Sequence, residues 1–425
     1  MATASKVPPY EERVKWFHQA RFGLFVHWGL YSIPAHGEWE MFRARWRPEE
    51  YAKLARRFNP RRFDADAWAN LAAEAGARYM VLTTRHHDGF CLFDSRVSDF
   101  TSVKTAAWRD LVAEFVRAGR KAGLRVGLYY SLLDWRFPGY FEPRRHRASA
   151  EALVRQTHDQ VRELMTNYGR VDVLWYDGRW ISHGRVKMDQ AKFWRAKELN
   201  AMVRRLQPHI LINNRSGTRE VLDTPEQHVT ASAPGRAWES CMTIGDAPGW
   251  GYVRHNPNFK TVPQLLQNLV RAAAGEGNYL LNIGPKPDGS IRKEEQVRLR
   301  ALGKWLRTNG EAIYGSRRCA LPDDTLPGGE HGLWTRKGSA AYLHVFRWPG
   351  ETLIVPLVDT RVLSAEVLAT GRKARVRQEY NGRLVISGLP KRPPDPNVSV
   401  IKIRFAGEPR TRVETDKAAW LRGEA

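Results

Sequence analysis

Apolar runs that each halt at a polar tip recur through the first three hundred residues. Phe22-Gly23-Leu24-Phe25-Val26 halts at His27-Trp28-Gly29, and Tyr79-Met80-Val81-Leu82-Thr83-Thr84 at Arg85-His86-His87-Asp88-Gly89. Leu124-Arg125-Val126-Gly127-Leu128 ends at Tyr129-Tyr130-Ser131, and Val173-Leu174-Trp175-Tyr176 at Asp177-Gly178. Ile210-Leu211-Ile212 ends at Asn213-Asn214-Arg215, and Tyr279-Leu280-Leu281-Asn282-Ile283 at Gly284-Pro285. Near-continuous apolar runs mark parallel strands buried on both faces. Helical spacing fills 65–75, 108–122, 149–168, 192–206 and 263–274 between most of them. Strand, polar tip, helix, strand is the unit of an α/β fold. It predicts a (β/α)8-like barrel of the TIM type, with its chemistry at the strand tips. An open doubly wound sheet shows the same alternation but sets its site at one switch point. Here six tips carry side chains.

The pattern changes near residue 318. Short alternating segments follow at 332–335, 341–346, 352–357, 365–368, 374–377, 383–387 and 398–403, separated by turn residues such as Asn381-Gly382 and Pro349-Gly350. They predict a small antiparallel β-sandwich. The expected division is therefore a catalytic barrel over 1–318, a sandwich over 319–407 and a polar tail over 408–425.

Composition narrows the function classes. The 425 residues leave ample room for a large core. Cys91, Cys241 and Cys319 are an odd number at no metal-like spacing, so buried free thiols are expected rather than a disulfide framework. The first sixteen residues hold no apolar signal region, and no run of eighteen apolar residues occurs, so a soluble, cytoplasmic protein without a membrane span is expected. The net charge of +23 raises the question of nucleic acid. The basic residues are mostly scattered arginines without a nucleic-acid motif, so none is expected as partner. Sixteen tryptophans and fourteen tyrosines, many beside the strand tips, suit a sugar, whose C–H faces stack on rings. Filling a wide loop layer is the plainer use of the same rings.

Asp177 stands out on its own. A carboxylate at the end of a core strand, between aromatic rings and glycine, is costly to desolvate unless it is used; a turn-forming Asp-Gly is the bland alternative. The tips taken together resemble the α-L-fucosidases of glycoside hydrolase family 29. The resemblance starts at Lys15-Trp16-Phe17 and 22–32, and passes through Gly37-Glu38-Trp39, Thr84–Phe90, Tyr129-Tyr130-Ser131 and Leu174–Gly178. It continues through Asn213-Asn214-Arg215, Asp223-Thr224-Pro225-Glu226-Gln227, Trp238–Ile244, Trp250-Gly251-Tyr252 and Gly277–Pro285, in order over the whole predicted barrel.

The resemblance implies a retaining exo-α-L-fucosidase acting by double displacement on fucosylated oligosaccharides or glycoconjugates, without cofactor or metal. It implies Asp177 as nucleophile and Glu226 as acid/base, with Glu239 as the alternative acid; otherwise Glu239 is expected to orient loop or sugar hydroxyls or to make a buried structural hydrogen bond. Asp-Thr-Pro-Glu-Gln matches the subgroup favouring α1,3/1,4-linked fucose. His27, His86 and His87 match histidines on the ring hydroxyls, and Glu38 and Trp39 the pair at the O3/O4 side. Tyr130 and Trp175 match aromatic residues near O2, C1 and the ring. Arg215 matches an arginine that pairs with either carboxylate. Trp250 and Tyr252 are expected at the methyl pocket or the aglycone side, and Asn278 and Asn282 as barrel-closing residues. Two alternatives keep the fold: a catalytically silent glycan-binding protein, and a same-family enzyme of broader linkage specificity or for a related sugar.

Overall fold

The computed structural model describes residues 7–246, 249–256, 258–321 and 332–412. Eight parallel strands follow in chain order: β1 (Phe22–Val26), β2 (Tyr79–Arg85), β3 (Arg125–Ser131), β4 (Val173–Asp177), β5 (Leu211–Ile212), β6 (Leu222–Asp223), β7 (Ala237–Thr243) and β8 (Asn278–Ile283). Each pairs with its neighbours in sequence, and β8 pairs back to β1. A single parallel bridge, Asn213 to Leu222, joins β5 to β6 and closes the ring. The fold is the expected TIM-like barrel.

Helices cover its outside for local reasons. Asp110 caps the helix Leu111–Lys121 by accepting from the Ala113 amide at 2.8 Å, and Thr261 with Gln264 forms a capping box before Val262–Ala274. Both helices bury an apolar face against the sheet. Expected helix 192–206 is broken: Gln190–Phe193 and Ala196–Leu206 meet at Arg195, which sits at φ 48°. The strand β6 was not foreseen. It is two residues long, and the connections 213–221 and 224–236 around it carry no α-helix, so neither periodicity nor a long apolar run announces it.

Alternation along the strands sorts side chains to two sides. Phe25, Tyr79, Val81, Tyr129, Val173, Trp175, Leu211, Cys241 and Leu280 fill the barrel interior as one cluster. Leu128, Tyr130, Leu174 and Tyr176 point outward, into the layer under the helices.

The second sheet comprises β9 (Arg317–Arg318), β10 (Gly332–Lys337), β11 (Ala340–Val345), β12 (Thr352–Val355), β13 (Val362–Val367), β14 (Arg372–Gln378), β15 (Leu384–Ser387) and β16 (Ser399–Phe405), all antiparallel. β14 pairs with β13 through Arg372–Ala374 and with β15 through Arg375–Gln378. It thus passes from one layer of the sandwich to the other around a core that includes Trp334, Leu343, Val355 and Ile401. Trp305 Nε1 donates to the Val398 carbonyl at 2.7 Å, and Tyr342 donates to Glu311 at 2.6 Å, so sandwich and barrel share a bonded seam. Of the expected tail, residues 408–412 run beside 357–361, where the Arg412 amide meets the Leu357 carbonyl at 2.8 Å; the remainder lies outside the described residues. No helix among the described residues is long and apolar enough to cross a membrane.

Candidate active site

The strand tips enclose a cavity of about 100 Å³. Its walls are Phe25, His27, Glu38, Trp39, His86, His87, Tyr129, Trp175, Asp177, Trp180, Arg215, Glu226 and Trp250. Most come from different strands' ends, as a barrel's C-terminal face allows.

Asp177 closes β4, with its side chain on the same face as Trp175. Gly178 follows at φ +70°, where an added Cβ would meet Leu133 at 2.9 Å, so the chain turns away immediately after the carboxylate. Asp177 Oδ1 accepts from Arg215 at 3.2 Å and Oδ2 from the Tyr129 hydroxyl at 3.1 Å; His87 Nε2 stands 3.7 Å from Oδ2. Burial and the Asp177 charge push the Tyr129 phenol well up, so it stays a donor.

Arg215 is the hub. Its other terminal nitrogen meets Glu226 at 2.9 Å, its Nε donates to Thr224 Oγ1 at 2.9 Å, and its plane lies 4.6 Å over the Trp175 ring. Burial is the largest single influence and weakens this cation, but Asp177, Cys241 and Glu226 together outweigh it and raise its pKa. Two carboxylates therefore hang from the two ends of one guanidinium, a fork geometry lysine lacks. Their settings differ: the Asp177 side chain is 14% exposed and that of Glu226 41%.

The three histidines are held neutral by burial, His27 at about 3 and His86 and His87 well below the ordinary value. Hydrogen bonds set two of the tautomers. Asn282 donates its amide to the Trp250 carbonyl at 2.7 Å, so its oxygen faces His27 Nδ1 at 2.6 Å and takes that proton. Ser131 gives its own proton to the Leu133 carbonyl and accepts from His87 Nδ1 at 2.7 Å. In both rings Nε2 is left as an acceptor suited to a hydroxyl. Glu38 is buried, with Oε2 taking the amides of Trp250 at 2.6 Å and Gly251 at 2.9 Å; burial pushes its carboxyl up against those bonds.

Three expectations fail on geometry. Tyr130 does not face the cavity. It lies on the outer side of β3, donates to Gln160 at 2.8 Å, and carries Arg85 over its ring. The register pairs Tyr129 with Trp175, so Tyr129 is the inward tyrosine of the doublet. Tyr252 lines a neighbouring pocket with Arg292 over its ring at 4.4 Å. Glu239, the alternative acid, is fully buried below the floor: Oε1 accepts from Trp175 Nε1 at 2.9 Å and Oε2 from the Tyr79 hydroxyl. Asn282 does more than close the barrel, since it orients His27. Trp180 is one of the tryptophans expected beside the strand tips; Phe25 and Tyr129 were missed, and the strand register would have picked them out.

Paired carboxylates on a shared arginine, neutral imidazoles and aromatic walls around one cavity, at the tips of a parallel barrel, are the parts of a barrel glycoside hydrolase. The family model described as alpha-L-fucosidase matches residues 4–311. Rat tissue alpha-L-fucosidase is 34% identical over 383 residues, 83% of this chain and 80% of the relative. Bovine tissue alpha-L-fucosidase is 32% identical over 412 residues, covering 89% and 85%. Among solved structures, alpha-L-fucosidase isoenzyme 1 from Paenibacillus thiaminolyticus superposes with TM-score 0.84 at 37% identity over 93% of this chain and 99% of that one. A Bacteroides thetaiotaomicron family 29 enzyme, trapped as a covalent intermediate from 2-fluoro-fucosyl fluoride in a glutamate-to-glutamine variant, gives TM-score 0.84 at 29% identity, covering 96% and 98%. The chain belongs to the alpha-L-fucosidase family.

Proposed function

We propose that this protein releases terminal α-L-fucose from fucosylated glycans by double displacement, with Asp177 as nucleophile and Glu226 as acid/base. The observation that carries the reading is the pair itself: two carboxylates on one arginine at the wall of the cavity at the strand tips. A retaining pair is expected about 5–5.5 Å apart, an inverting pair roughly 6.5–9.5 Å. Suspension from one guanidinium favours the shorter separation.

In the first step an Asp177 oxygen attacks C1 as the C1–O bond breaks, and the proton of Glu226 passes to the leaving oxygen. In the second, Glu226 takes a proton from water, the water oxygen bonds to C1, and Asp177 departs as carboxylate. The acceptor nitrogens of His27 and His87 and the carboxylate of Glu38 take the sugar hydroxyls, with His86 beside them; Trp39, Trp175 and Trp250 supply faces for its C–H edges. The Asp-Thr-Pro-Glu-Gln segment supports α1,3/1,4-linked substrates, and a linkage panel of fucosylated oligosaccharides tests that part alone.

Proton NMR of the first product formed from an aryl α-L-fucoside should show α-fucose, and Asp177→Gly should lose several orders of magnitude in turnover. Early β-fucose, or an active Asp177→Gly, would overturn the mechanism.

A further inference from the structure

Glu239 has no part in the two chemical steps, yet the fold keeps a carboxylate fully buried there. An apolar residue would fill the same space without the cost of desolvating an acid. What the acid adds is two acceptor oxygens, and both are used. One takes Trp175 Nε1–H at 2.9 Å, the indole's only polar handle, and the other takes the Tyr79 hydroxyl.

Two groups rest on that indole. Tyr129 stacks against it with ring centres 5.7 Å apart and planes 20° apart, and the Arg215 guanidinium lies 4.6 Å above it. The same two groups hold the two oxygens of Asp177, at 3.1 Å and 3.2 Å. An indole freed from Glu239 can turn about its side-chain torsions and carry both supports with it.

We propose that Glu239 is a positioning residue, fixing Trp175 and, through it, the Tyr129 and Arg215 groups that aim Asp177. The inference rests on Asp177 being the nucleophile. Burial pushes the Glu239 carboxyl up to about 7, and a protonated acid still keeps one carbonyl oxygen for Trp175. Glutamine offers the same oxygen, and leucine offers none.

The test is steady-state kinetics on an aryl α-L-fucoside, with thermal unfolding and added azide, for Glu239→Gln, Glu239→Leu, Trp175→Phe and the Leu/Phe double variant. Glu239→Gln should stay within about threefold of the parent in kcat, because the lost charge takes no part in the chemistry. Glu239→Leu should lose about 10²-fold in kcat with KM little changed, the size expected when a reacting group is misplaced by about 1 Å. Trp175→Phe keeps a ring but removes the N–H, so the double variant should lose no more than the worse single one. Azide should restore nothing. If Glu239→Leu does not fold, Trp175→Phe carries the test, its kcat falling while Tm holds. A parent-like kcat in Glu239→Leu, additive losses in the double variant, or azide rescue at Glu239 would overturn the inference. Asp177→Gly, run alongside, separates the failures. Its retained activity would sink the nucleophile reading and this inference with it, whereas its inactivity beside a fully active Glu239→Leu would sink this inference alone.

Discussion

The tyrosine doublet on β3 gives a paired perturbation in which one hydroxyl should matter to turnover and its neighbour should not. Tyr129→Phe removes the 3.1 Å bond to Asp177 Oδ2; Tyr130→Phe removes the 2.8 Å bond to Gln160 on the other side of the strand. Hydrogen bonds to a charged partner contribute about 1.5–3 kcal/mol and neutral ones about 0.5–1.5 kcal/mol. The sign on rate follows from where the charge is. In the proposed glycosyl transfer to Asp177 the carboxylate loses its charge, so a donor there helps little. In hydrolysis of the glycosyl-enzyme the charge returns, and the donor favours departure. With a nitrophenyl leaving group the first step is fast, so the second should limit kcat. Tyr129→Phe should therefore lower kcat on nitrophenyl fucoside by about 10- to 100-fold, from 1.36 kcal/mol per decade and with Arg215 still in place. A pre-steady-state burst of nitrophenol should appear or grow. Tyr130→Phe should leave kcat alone and lower stability by about 1 kcal/mol, read from denaturant unfolding. Equal kcat effects in the two variants, or a larger one at Tyr130, would refute both the register argument and the role given to Tyr129.

Three further outcomes follow from the same geometry. Glu226→Gln should lose far more activity on fucosyl-oligosaccharides than on an activated aryl fucoside, since only the poor leaving group needs a proton, and azide should rescue the Glu226→Ala enzyme; equal losses on both substrates would exclude the acid role. Arg215→Lys should lower kcat/KM by about 10²-fold or more, because one ammonium cannot span Asp177, Glu226 and Thr224; kinetics within threefold of the parent would contradict the hub. His27 is held at about 3 in the fold against an ordinary 6.5, so the unfolded chain binds its proton first and stability is lost as pH falls from 6.5 towards 3. Removing that histidine as His27→Asn should flatten the curve of unfolding free energy against pH by about 1.4 kcal/mol per unit in that window, and parallel curves would show that His27 is charged in the native state.

Strands that are apolar over their whole length were readable without the structure, because burial on both faces leaves an unbroken run that ends where the chain meets solvent. β1, β2, β3, β4 and β8 are of this kind. β6 was not, since two residues pinned by a bridge and flanked by helix-free connections carry no period. The same unbroken runs hide which face each residue takes. In a strand buried on both sides, Tyr129 and Tyr130 look alike, and only the pairing of Tyr129 with Trp175 separates interior from exterior. The residues at the tips were legible because polar groups there interrupt a pattern. Phe25 interrupts nothing. Glu239 was legible as an acid and, among other readings, as a buried hydrogen-bonding group. Its neighbours Trp238 and Ser240 could not decide between them, because they give no sign of which side faces in.

The two glutamates near Arg215 illustrate how fold position separates roles that residue type leaves open. Glu239 sits on β7, a seven-residue strand buried throughout, and its oxygens are committed to Trp175 and Tyr79. A proton donor must swing between partners, and that site offers no room to swing. Glu226 sits on the helix-free connection after β6, tied by a backbone bridge to Cys241 and followed by Gln227 at φ 61°, with its side chain well exposed. Its bond to Arg215 is an ion pair at a wet edge, which costs little to open. In the proposed mechanism, a sugar ring entering the cavity displaces water at that edge, leaving Arg215 to Asp177 and freeing Glu226 to exchange its proton. β7 fixes Glu239 at the floor, whereas the connection after β6 sets the Glu226 side chain at the exposed rim, the position that the proposed acid role needs.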